Sequence, residues 1–243
     1  MRLTRCFVEL PLQAGARLAL PESAANHLAR VLRLREGDGC VLFNGDGHDY
    51  DARLASVGKR EVVVEIGAAR AVGNESPLRI TLLQGIARGE KMDLILQKAT
   101  ELGVAAIVPV TAERTEVKLD AERAGKRVAH WRSVIASACE QSGRARLPAL
   151  SPPTALADAA RDAGADAARL TLDPAGEVSL ATVDVPSGAA VVAIGPEGGW
   201  SPRDRETLAA AGFTGLRLGP RVLRTETAGL AAIAALQSRF GDL

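Results

Sequence analysis

Two short stretches combine glycine, proline and charged side chains at spacings that could hold a ligand: "GPEGGWS" at 195–201 and "GPRVLRTETA" at 219–228. Each closes an apolar, strand-like run, and each opens a helix-like one. Asp173-Pro174, after "RLTL", forms a third loop of related type. Glycine lets backbone N–H and C=O groups approach a ligand closely where a Cβ would intrude. In open α/β sheets ligands bind beyond the carboxyl ends of the strands, so three loops following three strands can converge on one molecule. Any one of these glycines alone reads as a plain turn or helix stop; two complete motifs read as a site.

The usual phosphate and hydrolase fingerprints are missing. No G-x-x-x-x-G-K-[ST] occurs, and "GDGCVL" and "GDGHDY" lack the third glycine of a dinucleotide turn. There is no G-x-S-x-G and no histidine pair at metal-ligand spacing. This argues against nucleotide hydrolysis, zinc hydrolysis and serine chemistry. A mostly neutral ligand gripped by backbone groups suits the loops better, and adenosine is one such ligand.

The elements that must position these loops are legible in the pattern. A chain of 243 residues, 47% hydrophobic, can bury a substantial core. Its longest apolar runs, such as "AAVVAIG" at 189–195, fall far short of the roughly 20 residues of a membrane span. The start "MRLTRCFVELPLQ" lacks a signal-peptide core, so a soluble cytoplasmic protein is expected. Cys6, Cys40 and Cys139 are odd in number and widely spaced, which suggests packed thiols and neither a disulfide framework nor a metal site. Net charge is +1, but residues 85–147 carry 11 Lys+Arg against 8 Asp+Glu, so a polyanion would be met there if anywhere. A solvated charged face explains that excess equally well.

Residues 1–72 read as a small, mostly antiparallel β unit. Asn44-Gly45 and Asp46-Gly47 predict a hairpin between 41–43 and 50–57, and Gly58-Lys59 a second turn before 61–66. One helix is expected in "PESAANHLARVLRLREGD", capped by Ser23 and ending before Gly37. Leu28, Val31, Leu32 and Leu34 would face inward, leaving His27, Arg30 and Arg33 on one exposed strip open to phosphate contact. "AVGNESP" at 71–77 reads as a linker. Residues 73–243 then alternate strand and helix, which predicts a parallel sheet covered on both faces. Ser201, Pro202 and Gly212 mark the cap, first position and stop of one helix, and "TETAGLAAIAALQSRF" is the last.

"VVAIGPEGGWS" and "LGPRVLRTETA", with "RGEKMDLILQKATELGV", "ACEQSGR" and "NHLARVLRLREGD", closely resemble the bacterial methyltransferases that modify N3 of a uridine in 16S ribosomal RNA, members of the SPOUT superfamily. The resemblance runs from about Arg5 to Leu243. It implies a PUA-like amino-terminal β-barrel that binds RNA, and an α/β domain with a deep trefoil knot that holds S-adenosylmethionine. It also implies a homodimer acting on 16S rRNA within the small ribosomal subunit; the short apolar runs and the Cys and His spacing separately lead us to expect no membrane and no metal. Pattern reasoning alone would reject a knot. The small residues Ala228, Gly229, Ala231, Ala232, Ala234 and Ala235 permit close approach of a second subunit to the last helix, or burial of that helix within its own domain.

By this resemblance Gly195, Pro196, Glu197, Gly198 and Gly199, with Ile194 before them, form the second cofactor loop. Leu218, Gly219, Leu223, Thr225 and Ala228 belong to the third, and Leu170 to Leu172 lead to the first. Methylation at N3 requires loss of a proton and stabilisation of charge spreading onto O2 and O4. Arg224 is the expected stabiliser, since guanidinium stays charged at any working pH. Glu197 and Glu226 are the nearest proton acceptors. Glu197 could equally bind cofactor or an arginine, Glu226 could serve the helix dipole, and water could take the proton. Arg88, Lys91, Arg114 and Arg144 match polar family motifs and are expected to meet RNA phosphates. Aromatics make up only 3%, so recognition by shape and phosphate position is expected over base stacking.

Overall fold

The computed structural model describes residues 3–59, 61–117, 120–164 and 166–243. The chain forms two compact units, one of residues 1–75 with 136–147, the other of residues 76–135 with 148–243.

In the first unit the strands Arg5–Phe7 (β1), Arg17–Ala19 (β2), Gly39–Phe43 (β3), His48–Val57 (β4) and Val62–Ala71 (β5) form one sheet in the order β1-β3-β4-β5-β2. The β3–β4 hairpin is antiparallel with Leu42 opposite Tyr50, so the two glycine turns do what their type predicts. β1 instead pairs parallel to β3. Alternate residues Cys40, Leu42, Ala52, Leu54, Val62 and Val64 point to one side and close on Leu20, Ala24 and Leu28. Burial pushes the Cys6 and Cys40 thiols up to about 12 and about 11, so both stay protonated.

The predicted helix of this unit differs from expectation. It starts at Glu22 (α1, Glu22–Ala25), after Pro21 and without a side-chain cap, so Ser23 does not cap it. From Asn26 to Val31 it widens into a π-helix, where the Leu32 N–H donates to His27 O, five residues back. The extra residue per turn breaks the 3.6 period. Leu28 stays in the core, while Val31 is 68% exposed and Leu32 half-exposed. Arg33 adopts φ +58° and leaves the helix. Arg30 and Arg33 are exposed and His27 is half-buried, but they no longer share a helical strip.

In the second unit the strands are Arg79–Gly85 (β6), Ala106–Thr111 (β7), Ala149–Leu150 (β8), Thr154–Ala155 (β9), Ala168–Leu172 (β10), Val178–Ser179 (β11), Ala189–Ile194 (β12) and Thr214–Arg217 (β13). They run in the order β11-β13-β10-β12-β6-β7-β8, with β9 also on β7, and every pairing is parallel. Helices Glu90–Glu101 (α2), Ala121–Ser142 (α3), Leu156–Arg161 (α4), Pro202–Ala210 (α5) and Thr225–Phe240 (α6) complete the chain. Leu83, Val110, Val191 and Ala193 pack on Leu156, Ala159 and Leu208 of α4 and α5. On the opposite face Leu82 and Ile194 meet α6 at Gly229. The sheet is thus covered on both faces, which explains its continuous apolar strands.

Local signals set the helix ends. Ser201 and Asp204 cap each other's backbone N–H groups at α5, Pro202 sits at its first position, and Gly212 follows at φ +78°. Gly103 ends α2 at φ +82°. Residues 149–161, where the pattern predicted nothing, hold β8, β9 and α4.

Candidate active site

Strands β13, β10 and β12 are neighbours, and their carboxyl ends open on a cavity of about 380 Å³. Leu172, Asp173 and Pro174 line it from the first loop; Ile194 to Glu197, Gly199 and Trp200 from the second; Leu216, Leu218, Gly219 and Arg221 to Thr225 from the third, with Ala228 of α6 behind. Three loops that the sequence separates by up to fifty residues therefore share one hollow.

Hydrogen bonds hold the loops in place. The Gly199 N–H donates to Pro196 O at 2.8 Å, closing a turn that needs Gly199 at φ +65°. Behind it, the Thr225 hydroxyl donates to Gly195 O at 2.6 Å and accepts from Gln84 Nε2 at 3.1 Å. Trp200 Nε1 donates to Thr171 Oγ1 at 3.0 Å, fixing the indole in the wall. At the rim Arg205 pairs with Asp173 at 2.6 Å. Gly85 backs directly onto the second loop, where a Cβ would lie 2.7 Å from Pro196 Cδ and 2.8 Å from Gly195 C.

Glu197 accepts from the Arg88 backbone N–H at 3.0 Å, with Lys91 Nζ at 3.5 Å. Burial alone would raise its pKa, but the N–H groups of Arg88 and of Glu197 itself, together with Lys91, outweigh it and hold the carboxyl below the ordinary range. Of the roles expected for Glu197, proton acceptor or ligand of the cofactor or a basic group, these contacts favour the second. Its carboxylate pins the second loop. Glu226, in the first turn of α6, has a buried Oε2 without a hydrogen-bond partner among the described residues, and Lys91 Nζ lies 4.0 Å from it.

Arg224 is the cap of α6, its carbonyl accepting from the Thr227 and Ala228 N–H groups at 2.9 and 2.8 Å. Its exposed side chain lines the cavity and makes no ion pair or hydrogen bond among the described residues, and the same holds for Arg221. Two of the expected cofactor residues do not line the cavity. Leu170 is buried within β10, two residues upstream of the first loop. Gly198 turns outward, where its carbonyl accepts from Arg114 Nη1 at 3.1 Å and a Cβ would press on Arg114.

Of the expected phosphate ligands, Arg88, Lys91 and Arg114 gather on the outer side of the second loop, with Arg88 also paired to Glu116. Arg144 belongs to the first unit, where its side chain is 5% exposed and paired with Glu75 at 2.5 Å. Its charge is engaged inside the fold, which corrects its expected role at an RNA surface. Trp200, Arg205, Leu216, Arg221 and Gln84 were not singled out by the sequence reading. Trp200 and Arg221 stand inside the two quoted motifs, and Arg205 lies one turn after the Ser201 cap, so helix starts beyond strand ends would have found them.

The arrangement is apolar at its base, bounded by backbone groups and carries unpaired guanidinium at its mouth. This fits a small ligand with a flat, largely uncharged part and a reaction that develops negative charge. Among the described residues no cluster of three potential metal ligands occurs, and no helix is long and apolar enough to cross a membrane.

Residues 74–237 match the RNA methyltransferase domain family and residues 20–67 the RNA methyltransferase PUA domain. The ribosomal RNA small subunit methyltransferase E of Buchnera aphidicola (subsp. Schizaphis graminum) is 30% identical over 242 residues, covering 100% of this chain and 98% of that one. That of Bacillus subtilis is 30% identical over 96% of each chain. Among solved structures, a protein from Legionella pneumophila in complex with the bound cofactor SAM superposes with a TM-score of 0.96 at 40% identity, covering 100% of both chains. A ribosomal RNA small subunit methyltransferase E from Neisseria gonorrhoeae bound to S-adenosyl methionine superposes at 0.95 with 42% identity over 99% of each.

Proposed function

The chain belongs to the RNA methyltransferase family, among the ribosomal RNA small subunit methyltransferases E, and from that premise we propose that it transfers a methyl group from S-adenosylmethionine to N3 of a specific uridine in 16S ribosomal RNA. The observation that carries this reading is the convergence of the three loops on one cavity with the unpaired Arg224 at its mouth. The cavity fits the cofactor: Gly199 and Gly219, at φ +65° and +132°, bring backbone groups to its edge, and Leu172, Leu218 and Leu223 offer apolar walls for a purine.

The cofactor supplies an activated methyl group, and the protein's task is to present the other reactant. Arg224 lines the cavity with no side-chain partner among the described residues, and it stabilises the negative charge on the uracil oxygens as the N3 proton leaves. Glu197, held ionised, keeps the second loop closed behind the cofactor. Arg88, Lys91 and Arg114 sit beside that loop and steer the phosphates of the strand. In this reading residues 1–72 form a PUA-like barrel that binds RNA, assisted by His27, Arg30 and Arg33. Residues 73–243 form the SPOUT domain, whose third loop passes through the second to make a trefoil knot; the bond from Thr225 to Gly195 O places the two loops side by side, as that reading requires. Ala231, Ala234 and Ala235 are half-buried while Ala228, Gly229 and Ala232 pack inward, so one face of α6 stays open to a second subunit of a homodimer. The work would take place in the cytoplasm, on the small subunit.

The test is transfer of labelled methyl from S-adenosylmethionine to small subunits from a strain lacking the modification, followed by nucleoside analysis. 3-Methyluridine is expected. A 2′-O-methylated product, or no transfer to RNA or subunits, overturns the assignment.

A further inference from the structure

Behind the cavity's lining, in contact with the lining residue Thr225, stands a polar side chain that neither motif includes. Gln84, near the end of β6, is fully buried. Its Nε2 donates to Gly85 O at 2.9 Å and to Thr225 Oγ1 at 3.1 Å. The Thr225 hydroxyl passes the polarity on, donating to Gly195 O at 2.6 Å. One amide thus orients one hydroxyl, and that hydroxyl ties the start of α6, which follows the third loop, to the first residue of the second.

The direction of this chain follows from the inventory of donors. Gly85 O and Gly195 O can only accept, so Nε2 must face the first and the threonine proton the second. Were the amide reversed, its oxygen would take the threonine proton and leave Gly195 O without it. The other end, Gln84 Oε1, is buried with no partner among the described residues. A leucine would occupy similar space without that penalty. What the glutamine supplies that a leucine would not is the pair of bonds donated by Nε2. α6 crosses closely at this point, where a Cβ on Gly229 would lie 3.4 Å from Gln84 Oε1, so the amide has little room to turn.

We propose that Gln84 is a positioning residue for the cofactor, acting through Thr225 to lock the second and third loops at their cofactor-binding separation. The inference rests on the reading of the cavity as an S-adenosylmethionine site.

Calorimetric titration of S-adenosylmethionine into the full-length protein and its variants tests it, with melting temperatures measured alongside. Gln84→Leu and Thr225→Val should each weaken binding by about tenfold, the worth of one internal hydrogen bond. Thr225→Ser, which keeps the hydroxyl, should restore near-native affinity. Because the two side chains act as one device, the double variant Gln84→Leu/Thr225→Val should bind no more weakly than the weaker single one. Multiplied losses in the double variant, native affinity in Gln84→Leu, or equal losses in Thr225→Ser and Thr225→Val would each overturn the proposal. Should Gln84→Leu not fold, Gln84→Met replaces it at equal chain length. Absence of binding by the unaltered protein would instead remove the cofactor reading, and the inference with it.

Discussion

At the residue scale Arg224 and Glu197 divide the labour of the cavity by what surrounds them. Arg224 has no partner among the described residues, so its charge is available to a substrate. Arg224→Ala should lower kcat by about 10²–10³-fold, as loss of one charge-stabilising donor does. S-adenosylmethionine affinity should be kept, and calorimetry beside a methyl-transfer assay separates the two. Arg224→Lys should recover little, since a point charge does not reproduce the planar fork. Glu197 is already satisfied, so Glu197→Gln, which can still accept from the Arg88 N–H, should retain most activity at neutral pH. Its depressed pKa fixes the sign of the acid response. The tie is complete above the ordinary glutamate value of about 4.3 and is lost as pH falls through the lower folded-state value. Cofactor binding titrated from pH 7 to pH 3 should show that acid loss in the native protein and not in Glu197→Gln. Arg224 stood out in the sequence because its motif did. The satisfied state of Glu197 was hidden, because its donors Arg88 and Lys91 lie over a hundred residues away and only folding makes them neighbours.

At the scale of elements, close approach and capping do most of the positioning. Gly85→Ala would drive a methyl group into the Gly195-Pro196 backbone, which cannot yield as a side chain end could. Loss of cofactor binding together with a lower melting temperature is expected, read by calorimetry and thermal denaturation. Ser201→Ala removes one half of a reciprocal cap and should cost about 1 kcal/mol, seen as a fall of roughly 2–4 °C. The α/β alternation was legible because each strand is a continuous apolar run, and α5 because Ser201, Pro202 and Gly212 all agree. The helix after Pro21 exposes Val31 and Leu32 against their apolar pattern, since a period of 3.6 residues per turn cannot register a π-helical widening. α4 escaped because Leu156, Ala159 and Ala160 form too short a stripe to show a period.

At the scale of the whole molecule, the first unit is discontinuous: residues 136–147 complete it. Arg5 shows why. Its Nη1 donates to Cys139 O, its Nη2 to Arg144 O at 3.1 Å and to Asp49 at 2.7 Å, while Glu140 accepts from the Phe7 N–H at 2.9 Å. Arg144→Ala, which leaves Glu75 without its partner, should cost about 3 kcal/mol, or roughly 6–12 °C in melting temperature. RNA affinity of the folded fraction should hardly change, whereas a phosphate ligand would show the reverse. A fragment of residues 1–72 should give a disordered circular-dichroism spectrum, because the carbonyls that satisfy Arg5 are missing from it. No pattern in 1–72 announces this debt to a later helix. On a translating ribosome the amino-terminal unit therefore cannot finish folding when its last strand emerges; it must wait for roughly seventy further residues, a delay on the order of 4–14 s at about 5–20 residues per second. During that interval a nascent chain with an unfinished core is exposed to chaperones, and the long helix that closes it sets the clock for both halves of the enzyme.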